Sequence, residues 1–251
     1  MRSDAFRRSR KARQGTELLC ERVFRPLAHL VVVALAPLRV PPPLVAAASG
    51  ATGIAAAVEL ARGHLLAAAL VLQLKTVLDN ADGQLARLSG RVTLLGRYLD
   101  SECDLLVDAA LFAALGWATG RPLLALGGFL ALTAVLSVNF NVERLHRGAP
   151  ADTPPARGLT RALQLAYGLL YGWQDRLMER WSRPDRPTVA VLANLGMTTQ
   201  LAAFSVCTGL GRPLAYVWVL AGELVFVAAL AGRRALLVSP GIDQEVSLEH
   251  R

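Results

Sequence analysis

The sequence is poor in charged residues. Asp, Glu, Lys and Arg make up 18% of its 251 residues, whereas soluble domains usually carry about 25%. Hydrophobic residues account for 53% of the chain, which excludes a disordered protein and disfavours an ordinary soluble enzyme. This composition is typical of a helical protein that crosses a membrane several times.

Cysteine is scarce as well. Cys20, Cys103 and Cys207 stand far apart in the sequence, and no two of them form a CxxC pair. This spacing excludes a disulfide framework and a zinc site. Basic residues outnumber acidic ones by 27 to 19, but they lie between the apolar segments. That placement indicates contact with lipid headgroups and not with nucleic acid.

The apolar segments predict an all-α integral membrane protein with six transmembrane helices. A shorter apolar stretch comes first, and we expect it to form an N-terminal interfacial amphipathic helix over residues 28–40, because it is too short to span a bilayer. The predicted spans lie at about 44–61, 65–81, 99–119, 122–141, 188–209 and 213–232.

The basic residues predict the orientation of the chain in the membrane. Of the 27, 24 fall on one side of the six predicted spans, and the positive-inside rule places that side in the cytoplasm. Both termini then lie on the cytoplasmic face of the cell (inner) membrane. We expect a basic tail over residues 1–27, an interfacial helix over 28–40, a catalytic domain over 41–235 and a C-terminal tail over 236–251. The catalytic domain includes a cytoplasmic loop at 142–187.

Acidic residues cluster at the second connection between spans. Half of the ten aspartates lie within residues 79–108. Asp79 and Asp82 are three positions apart and share one helix face. Asp100 and Asp104 are four positions apart and share another. Because the connection between the two helices is short, we expect antiparallel neighbours whose four carboxylates converge near the membrane surface.

Converging carboxylates need cations, and oxygen ligands suit Mg²⁺, Mn²⁺ or Ca²⁺. Two ions that share carboxylates are well suited to displacement at phosphorus. The surrounding residues fit a ligand that carries phosphate. Gly83 and Ala86 leave room for its close approach, and Arg87 offers a forked donor. Thr93 offers a hydroxyl, and Gly96 permits a close turn.

Together these residues read Asp79-x2-Asp82-Gly83-x2-Ala86-Arg87-x8-Gly96-x3-Asp100-x3-Asp104. The pattern resembles the signature of the CDP-alcohol phosphotransferase (phosphatidyltransferase) family at all eight fixed positions. The six-span layout and the short helix before the first span also agree with that family. One departure lies at the start of the first span, where the family often has a Pro-Asn-x-x-Thr-like stretch and this chain has Pro42-Pro43-Leu44-Val45.

The resemblance implies an enzyme of phospholipid biosynthesis. It would move the phosphatidyl group of a CDP-activated lipid, such as CDP-diacylglycerol, to the hydroxyl of a small alcohol, with release of CMP. Asp104 would take the proton from that hydroxyl, and a homodimer is expected. Two Mg²⁺ or Mn²⁺ ions would be held by Asp79, Asp82, Asp100 and Asp104. The CDP moiety would be bound by Gly83, Ala86, Arg87, Thr93 and Gly96.

The sequence leaves the acceptor alcohol open among glycerol phosphate, inositol phosphate, serine, inositol and other alcohols. Basic residues around the aspartates favour an acceptor that is itself phosphorylated, and these are Lys75, Arg91, Arg97, Arg144 and Arg147. Two other roles compete with this one. Lys75 and Arg97 are also placed to snorkel to headgroups, and Arg144 and Arg147 to anchor the helix end on the positive side.

Two other protein classes share single features with the chain. Asp79-Asn80-x-Asp82 also resembles the aspartate-rich diphosphate site of membrane prenyltransferases, but no second such motif follows. A divalent-cation transporter usually places its charges at mid-bilayer in repeated halves, which this chain lacks. Asp108 either hydrogen-bonds inside the bundle or supports the metal ligands, and Glu223 faces either the bundle or a dimer contact.

Overall fold

A computed structural model describes residues 15–147 and 184–238, together with 157–158, 160–162, 164–165, 168 and 172. The predicted all-α class is confirmed over this part of the chain, which contains helices and no strands. In chain order, helices α1 to α8 run over Arg25–Leu35, Pro42–Ala61, Leu65–Leu88, Leu94–Thr119, Pro122–Arg147, Arg186–Leu192, Met197–Gly209 and Ala215–Val238.

The predicted spans are helical, but several helices extend beyond the apolar stretch that revealed them. α3 runs to Leu88, past the expected end at 81, and α4 begins at Leu94, before the expected start at 99. Hydropathy predicts only the apolar part of a helix, so it does not predict the polar turns by which the helix continues. The fifth predicted span is broken near Gly196, where a 3₁₀ turn separates α6 from α7 and the two halves meet at 42°.

Two of the described helices, Pro42–Ala61 and Pro122–His146, are long and apolar enough to cross a membrane. The bent pair Arg186–Leu195 and Met197–Gly209 provides a third candidate if its halves form one span. α3 and α4 carry the charged residues of the signature, which lowers their mean hydropathy. Length and composition thus identify two or three spans, and the layout of six stays a prediction.

The N-terminal region differs from the expectation in its boundaries. α1 begins at Arg25 and ends at Leu35, where a helix over 28–40 was expected, and Pro42 begins α2. Proline is favoured at the first position of a helix, because its missing N–H would be unpaired there anyway. The expected tail over 1–27 is helical from Leu18 onward, and residues 1–14 lie outside the described part.

Six helices surround one apolar core. α2 packs against both α3 and α4, α3 against α7, α4 against α5, and α5 against α8. All six contribute to the core, where the rings of Phe112 and Phe204 stack with centroids 5.8 Å apart. The expected direct packing of α3 on α4 is wrong for most of their length, because small residues of α2 let both helices pack against it instead.

α1 packs on the part of α3 that carries the signature. Ala28 and Val32 of α1 form a second apolar cluster with Ala81 and Leu85 of α3. Beside this cluster, Nε2 of Gln84 donates a hydrogen bond to the main-chain oxygen of Arg25 at 3.0 Å. These contacts fix the end of α3 from which the acidic side chains project.

Candidate active site

The first half of the signature lies on one continuous helix. Asp79, Asp82, Gly83, Ala86 and Arg87 all belong to α3, as their spacing predicted. The helix ends at Leu88, and Gly90 takes a left-handed conformation with φ of 67° in the turn that follows. Glycine adopts this conformation without steric cost, so the close turn between the two halves of the signature is made at Gly90.

The second half of the signature begins with a helix cap. Thr93 precedes α4, and its Oγ1 accepts a hydrogen bond from the N–H of Gly96 at 3.0 Å. Gly96 is therefore helical, and the expectation that it makes the close turn is wrong. The side chain of Thr93 satisfies a main-chain donor that the first turn of a helix would otherwise leave unpaired. Contact of either residue with the CDP moiety stays a prediction.

Three aspartates meet between α3 and α4. One carboxylate oxygen each from Asp79, Asp100 and Asp104 lies within 4.8 Å of the other two. We refer to these residues as the carboxylate trio. The donor set is all oxygen and comes from two helices, so it fits a hard divalent ion such as Mg²⁺ or Mn²⁺. Asp82 is buried on α3 but does not belong to the trio, and its role as a ligand stays a prediction.

The side chain of Lys75 is buried beside two aspartates of the signature. Its side chain is 1% exposed, and Nζ donates a hydrogen bond to Oδ1 of Asp79 at 2.8 Å. Nζ also donates to Oδ1 of Asp104, so the ammonium links two members of the carboxylate trio. The expectation that Lys75 snorkels is wrong, because its ammonium is buried and pairs with two carboxylates. Its spacing of four residues from Asp79 was the signal for this pair.

Four other basic residues near the signature were expected to favour a phosphorylated acceptor, and the structure describes the side chains of two of them. Arg91 is exposed in the turn before α4, and Arg144 is half-buried near the end of α5. The side chains of Arg97 and Arg147 lie outside the described residues. A phosphate site for the acceptor therefore stays a prediction.

Gly83 and Arg87 are in direct contact on α3. A Cβ added to Gly83 would lie 3.2 Å from Nη1 and 3.3 Å from Nη2 of Arg87. The missing side chain thus lets the guanidinium fold back across the helix face. A guanidinium is a planar forked donor, so Arg87 can bind a phosphate group from this position.

Asn80 was missed as a functional residue. Its Nδ2 donates hydrogen bonds to the main-chain oxygen of Thr76 at 2.9 Å and to Oγ1 of Thr198 at 3.3 Å. Its Oδ1 accepts one from Sγ of Cys20 at 3.1 Å. Asn80 therefore links the π-helical turn Cys20–Phe24 and α7 to α3, directly beside Asp79. A polar amide inside a buried helix was the available signal.

The structure also shows the surroundings of Asp108 and Glu223, whose roles the sequence left open. Asp108 is buried on α4, one turn beyond Asp104. Oε2 of Glu223 accepts a hydrogen bond from Nε2 of Gln200 at 2.8 Å, and the hydroxyl of Tyr216 donates to Oε1 of Gln200 at 2.8 Å. Glu223 therefore faces α7 inside the bundle.

Comparison with known proteins adds to this geometry. Residues 39–199 match the sequence profile described as CDP-alcohol phosphatidyltransferase. The chain belongs to this family. The matched range contains α2, α3, α4, α5 and the whole signature, so the resemblance read from the sequence is confirmed.

Individual members of the CDP-alcohol phosphatidyltransferase family resemble parts of the chain. A bifunctional IPC transferase and DIPP synthase from Thermococcus kodakarensis is 36% identical over 97 residues, which are 37% of this chain and 22% of that protein. A phosphatidylinositol phosphate synthase from Corynebacterium glutamicum is 35% identical over 96 residues, 38% of this chain and 42% of that protein. The chain thus spans less than half of the length of these curated relatives.

A solved structure of the phosphatidylinositol phosphate synthase from Mycobacterium tuberculosis, with CDP-DAG bound, is also similar. It shares 22% identity and a TM-score of 0.42, over 77% of this chain and 94% of that one.

Proposed function

We propose that the chain is an integral-membrane transferase of phospholipid biosynthesis. It would move a phosphatidyl group from a CDP-activated lipid, such as CDP-diacylglycerol, to a hydroxyl of a small alcohol and release CMP. The observation that carries this proposal is the carboxylate trio, which brings together oxygens from both halves of the family signature. Membership in the CDP-alcohol phosphatidyltransferase family supports the same reaction class.

The carboxylate trio would hold a divalent ion, Mg²⁺ or Mn²⁺, and Asp82 would complete the set for a second ion. A bound divalent ion supplies electrostatic stabilisation of the negative charge that develops on the phosphates. The donor set supports this assignment, because four carboxylates at the end of two helices repel one another unless cations neutralise them.

Asp104 would be the catalytic base. Its carboxylate takes the proton from the acceptor hydroxyl while the hydroxyl oxygen forms a bond to the phosphorus that carries the lipid. The bond between that phosphorus and the oxygen bridging to the nucleotide breaks, and CMP leaves with that oxygen. Asp104 suits this role because it lies in the carboxylate trio and its side chain is half-buried, which leaves part of it open to an acceptor.

Gly83, Ala86 and Arg87 would bind the CDP moiety, with Thr93 and Gly96 at its edge. The position of the Arg87 guanidinium beside Gly83 supports this, because a forked donor there can make two parallel hydrogen bonds to a phosphate group. Ala86 adds only a methyl group on the same helix, so the nucleotide can approach the main chain.

The acceptor would be a phosphorylated alcohol of the inositol phosphate class. Two relatives support this choice by name, since the proteins from Corynebacterium glutamicum and Mycobacteroides abscessus are phosphatidylinositol phosphate synthases, 35% and 36% identical to the matched part of this chain.

In the membrane the chain would form six spans and an interfacial helix, with both termini and the site in the cytoplasm, and would assemble as a homodimer. The asymmetry of the basic residues supports the orientation. A site at the membrane surface also suits an amphiphilic donor, whose acyl chains stay in lipid while its headgroup reaches the carboxylates.

A panel of acceptors tests the proposal. Purified protein is mixed with labelled CDP-diacylglycerol, Mg²⁺ or Mn²⁺, and one alcohol at a time, namely inositol phosphate, glycerol phosphate, inositol or serine. We expect CMP and a labelled lipid product with inositol phosphate. Preference for an uncharged alcohol would reject the acceptor class. Release of pyrophosphate from a prenyl diphosphate, or flux of cations without turnover, would replace the proposed reaction altogether.

A further inference from the structure

A buried cation lies among the proposed metal ligands. Nζ of Lys75 contacts Asp79 on α3 and Asp104 on α4, and its side chain is 1% exposed. Its main-chain oxygen accepts a hydrogen bond from Oγ of Ser49 on α2 at 3.2 Å. Lys75 is thus held by contacts with α2, α3 and α4.

The ammonium and the carboxylates stabilise each other. A buried ammonium without a partner is costly, and so are carboxylates that lie within 4.8 Å of one another without a cation. One ammonium does not neutralise three carboxylates, but the contacts of Lys75 with Asp79 and Asp104 reduce both costs at once. They do so with the chain's own atoms, independently of any bound ion.

We propose that Lys75 is a positioning residue, an internal counter-ion that holds Asp79 and Asp104 together in the metal-free protein and competes with the divalent ion for their negative charge. This rests on the proposed function in one respect, the divalent ion at the carboxylate trio. Because the ammonium and the ion act on the same carboxylates, their effects on free energy are coupled and reciprocal. Loss of Lys75 therefore destabilises the metal-free protein more than the metal-bound one.

The test compares full-length wild type and Lys75→Met in detergent. Thermal unfolding is measured with EDTA and with Mn²⁺, and the affinity for Mn²⁺ is measured by electron paramagnetic resonance. We expect a lower Tm for Lys75→Met in EDTA, recovery of most of that loss with Mn²⁺, and binding of Mn²⁺ that is about tenfold tighter than in wild type.

Thr76→Val provides the matched control. Thr76 is the next residue on α3 and equally buried, and its Oγ1 donates to the main-chain oxygen of Leu72 at 2.9 Å and not to a carboxylate. We expect this variant to lower Tm equally with EDTA and with Mn²⁺ and to leave the affinity for Mn²⁺ unchanged.

Two results would overturn the counter-ion role of Lys75. An equal loss of Tm in both conditions with unchanged affinity would make Lys75 a purely structural residue. Weaker binding of Mn²⁺ would show that Lys75 assists the ion instead of competing with it. If Lys75→Met does not fold, Lys75→Gln removes the charge but keeps hydrogen-bond donors, and it must show the same tighter binding. Lys75→Arg restores the charge and must return the affinity to within a few-fold of wild type.

The readouts also separate this proposal from the proposed function, because neither unfolding nor Mn²⁺ binding requires substrate. A wild-type protein that binds Mn²⁺ and shows the Lys75 effect but releases no CMP would contradict the transferase and leave the counter-ion intact. A wild-type protein that binds no Mn²⁺ but releases CMP would contradict the counter-ion and the proposed metal ligands and leave the transferase reaction intact.

Discussion

Gly53 of α2 lies directly against Val107 of α4. A Cβ added to Gly53 would stand 2.5 Å from Cγ1 and 2.7 Å from Cγ2 of Val107, closer than real side chains approach. Val107 is β-branched and held at its χ1 rotamer, so it cannot turn away cheaply. This contact sets how closely α4 approaches α2, and with it the position of Asp104, which lies one turn earlier on α4.

Gly53→Ala is therefore expected to destabilise the protein by about 1–3 kcal/mol, because the added methyl group overpacks the contact. Thermal unfolding measures the loss. Gly127→Ala on α5 is the control, since a Cβ there would meet no atom within 4 Å. Equal stability of Gly53→Ala and Gly127→Ala would show that the close approach of α2 and α4 does not contribute to the stability of the protein.

Gly83→Ala should separate stability from function. Alanine is favoured over glycine inside a helix by about 0.5–1 kcal/mol, so the fold should be as stable as wild type or more so. The new methyl group would shift the guanidinium of Arg87 by a few tenths of an ångström, so we expect KM for the CDP-lipid to rise by a few-fold. Steady-state kinetics with a varied donor measure this effect. An unchanged KM would contradict the assignment of Arg87 to the donor.

Glu17 should stabilise the start of α7. Its Oε1 accepts hydrogen bonds from the N–H and the hydroxyl of Thr199, at 2.9 and 3.0 Å. Gly196 at the N-cap has no side chain to do this. We expect Glu17→Ala to cost about 2 kcal/mol in unfolding experiments. Leu18→Ala, which trims an exposed neighbour, should change stability by less than about 0.5 kcal/mol. Similar effects of both changes would contradict the capping role.

Gln200 should couple α7 to α8. Gln200→Leu leaves Glu223 and Tyr216 without their shared partner, so we expect a loss of about 1–3 kcal/mol. The double variant with Glu223→Leu should regain part of this loss, because no unpaired carboxylate remains. A double-mutant cycle of unfolding free energies measures the coupling, expected at about 1–2 kcal/mol. Additive losses would show that the two side chains act independently.

Much of the site could be predicted from the sequence because it is local. Asp79 and Asp82 share a helix, as do Asp100 and Asp104, and their spacing alone places each pair on one face. The short connection between α3 and α4 then brings the pairs to the same end of the bundle. The family signature adds roles that spacing alone could not provide.

The parts of the fold and of the site that could not be predicted depend on contacts between residues far apart in the sequence. Glu17 reaches Thr199 across 182 positions, and Asn80 reaches Thr198 across 118. The sequence around each of these residues gives no indication of which residue is its partner. The packing of α2 between α3 and α4 was missed for the same reason, since small residues such as Gly53 show only that some helix comes close.

The most direct test of the central claim, that the carboxylate trio carries out phosphatidyl transfer, is CMP release by Asp104→Asn. Glu102→Gln is its control, because Glu102 lies on the same helix but outside the trio. With CDP-diacylglycerol, Mn²⁺ and the accepted alcohol, Asp104→Asn should fold normally yet release CMP at least about 100-fold more slowly than wild type, while Glu102→Gln stays within a few-fold. Release of CMP by folded Asp104→Asn at the wild-type rate would contradict the account.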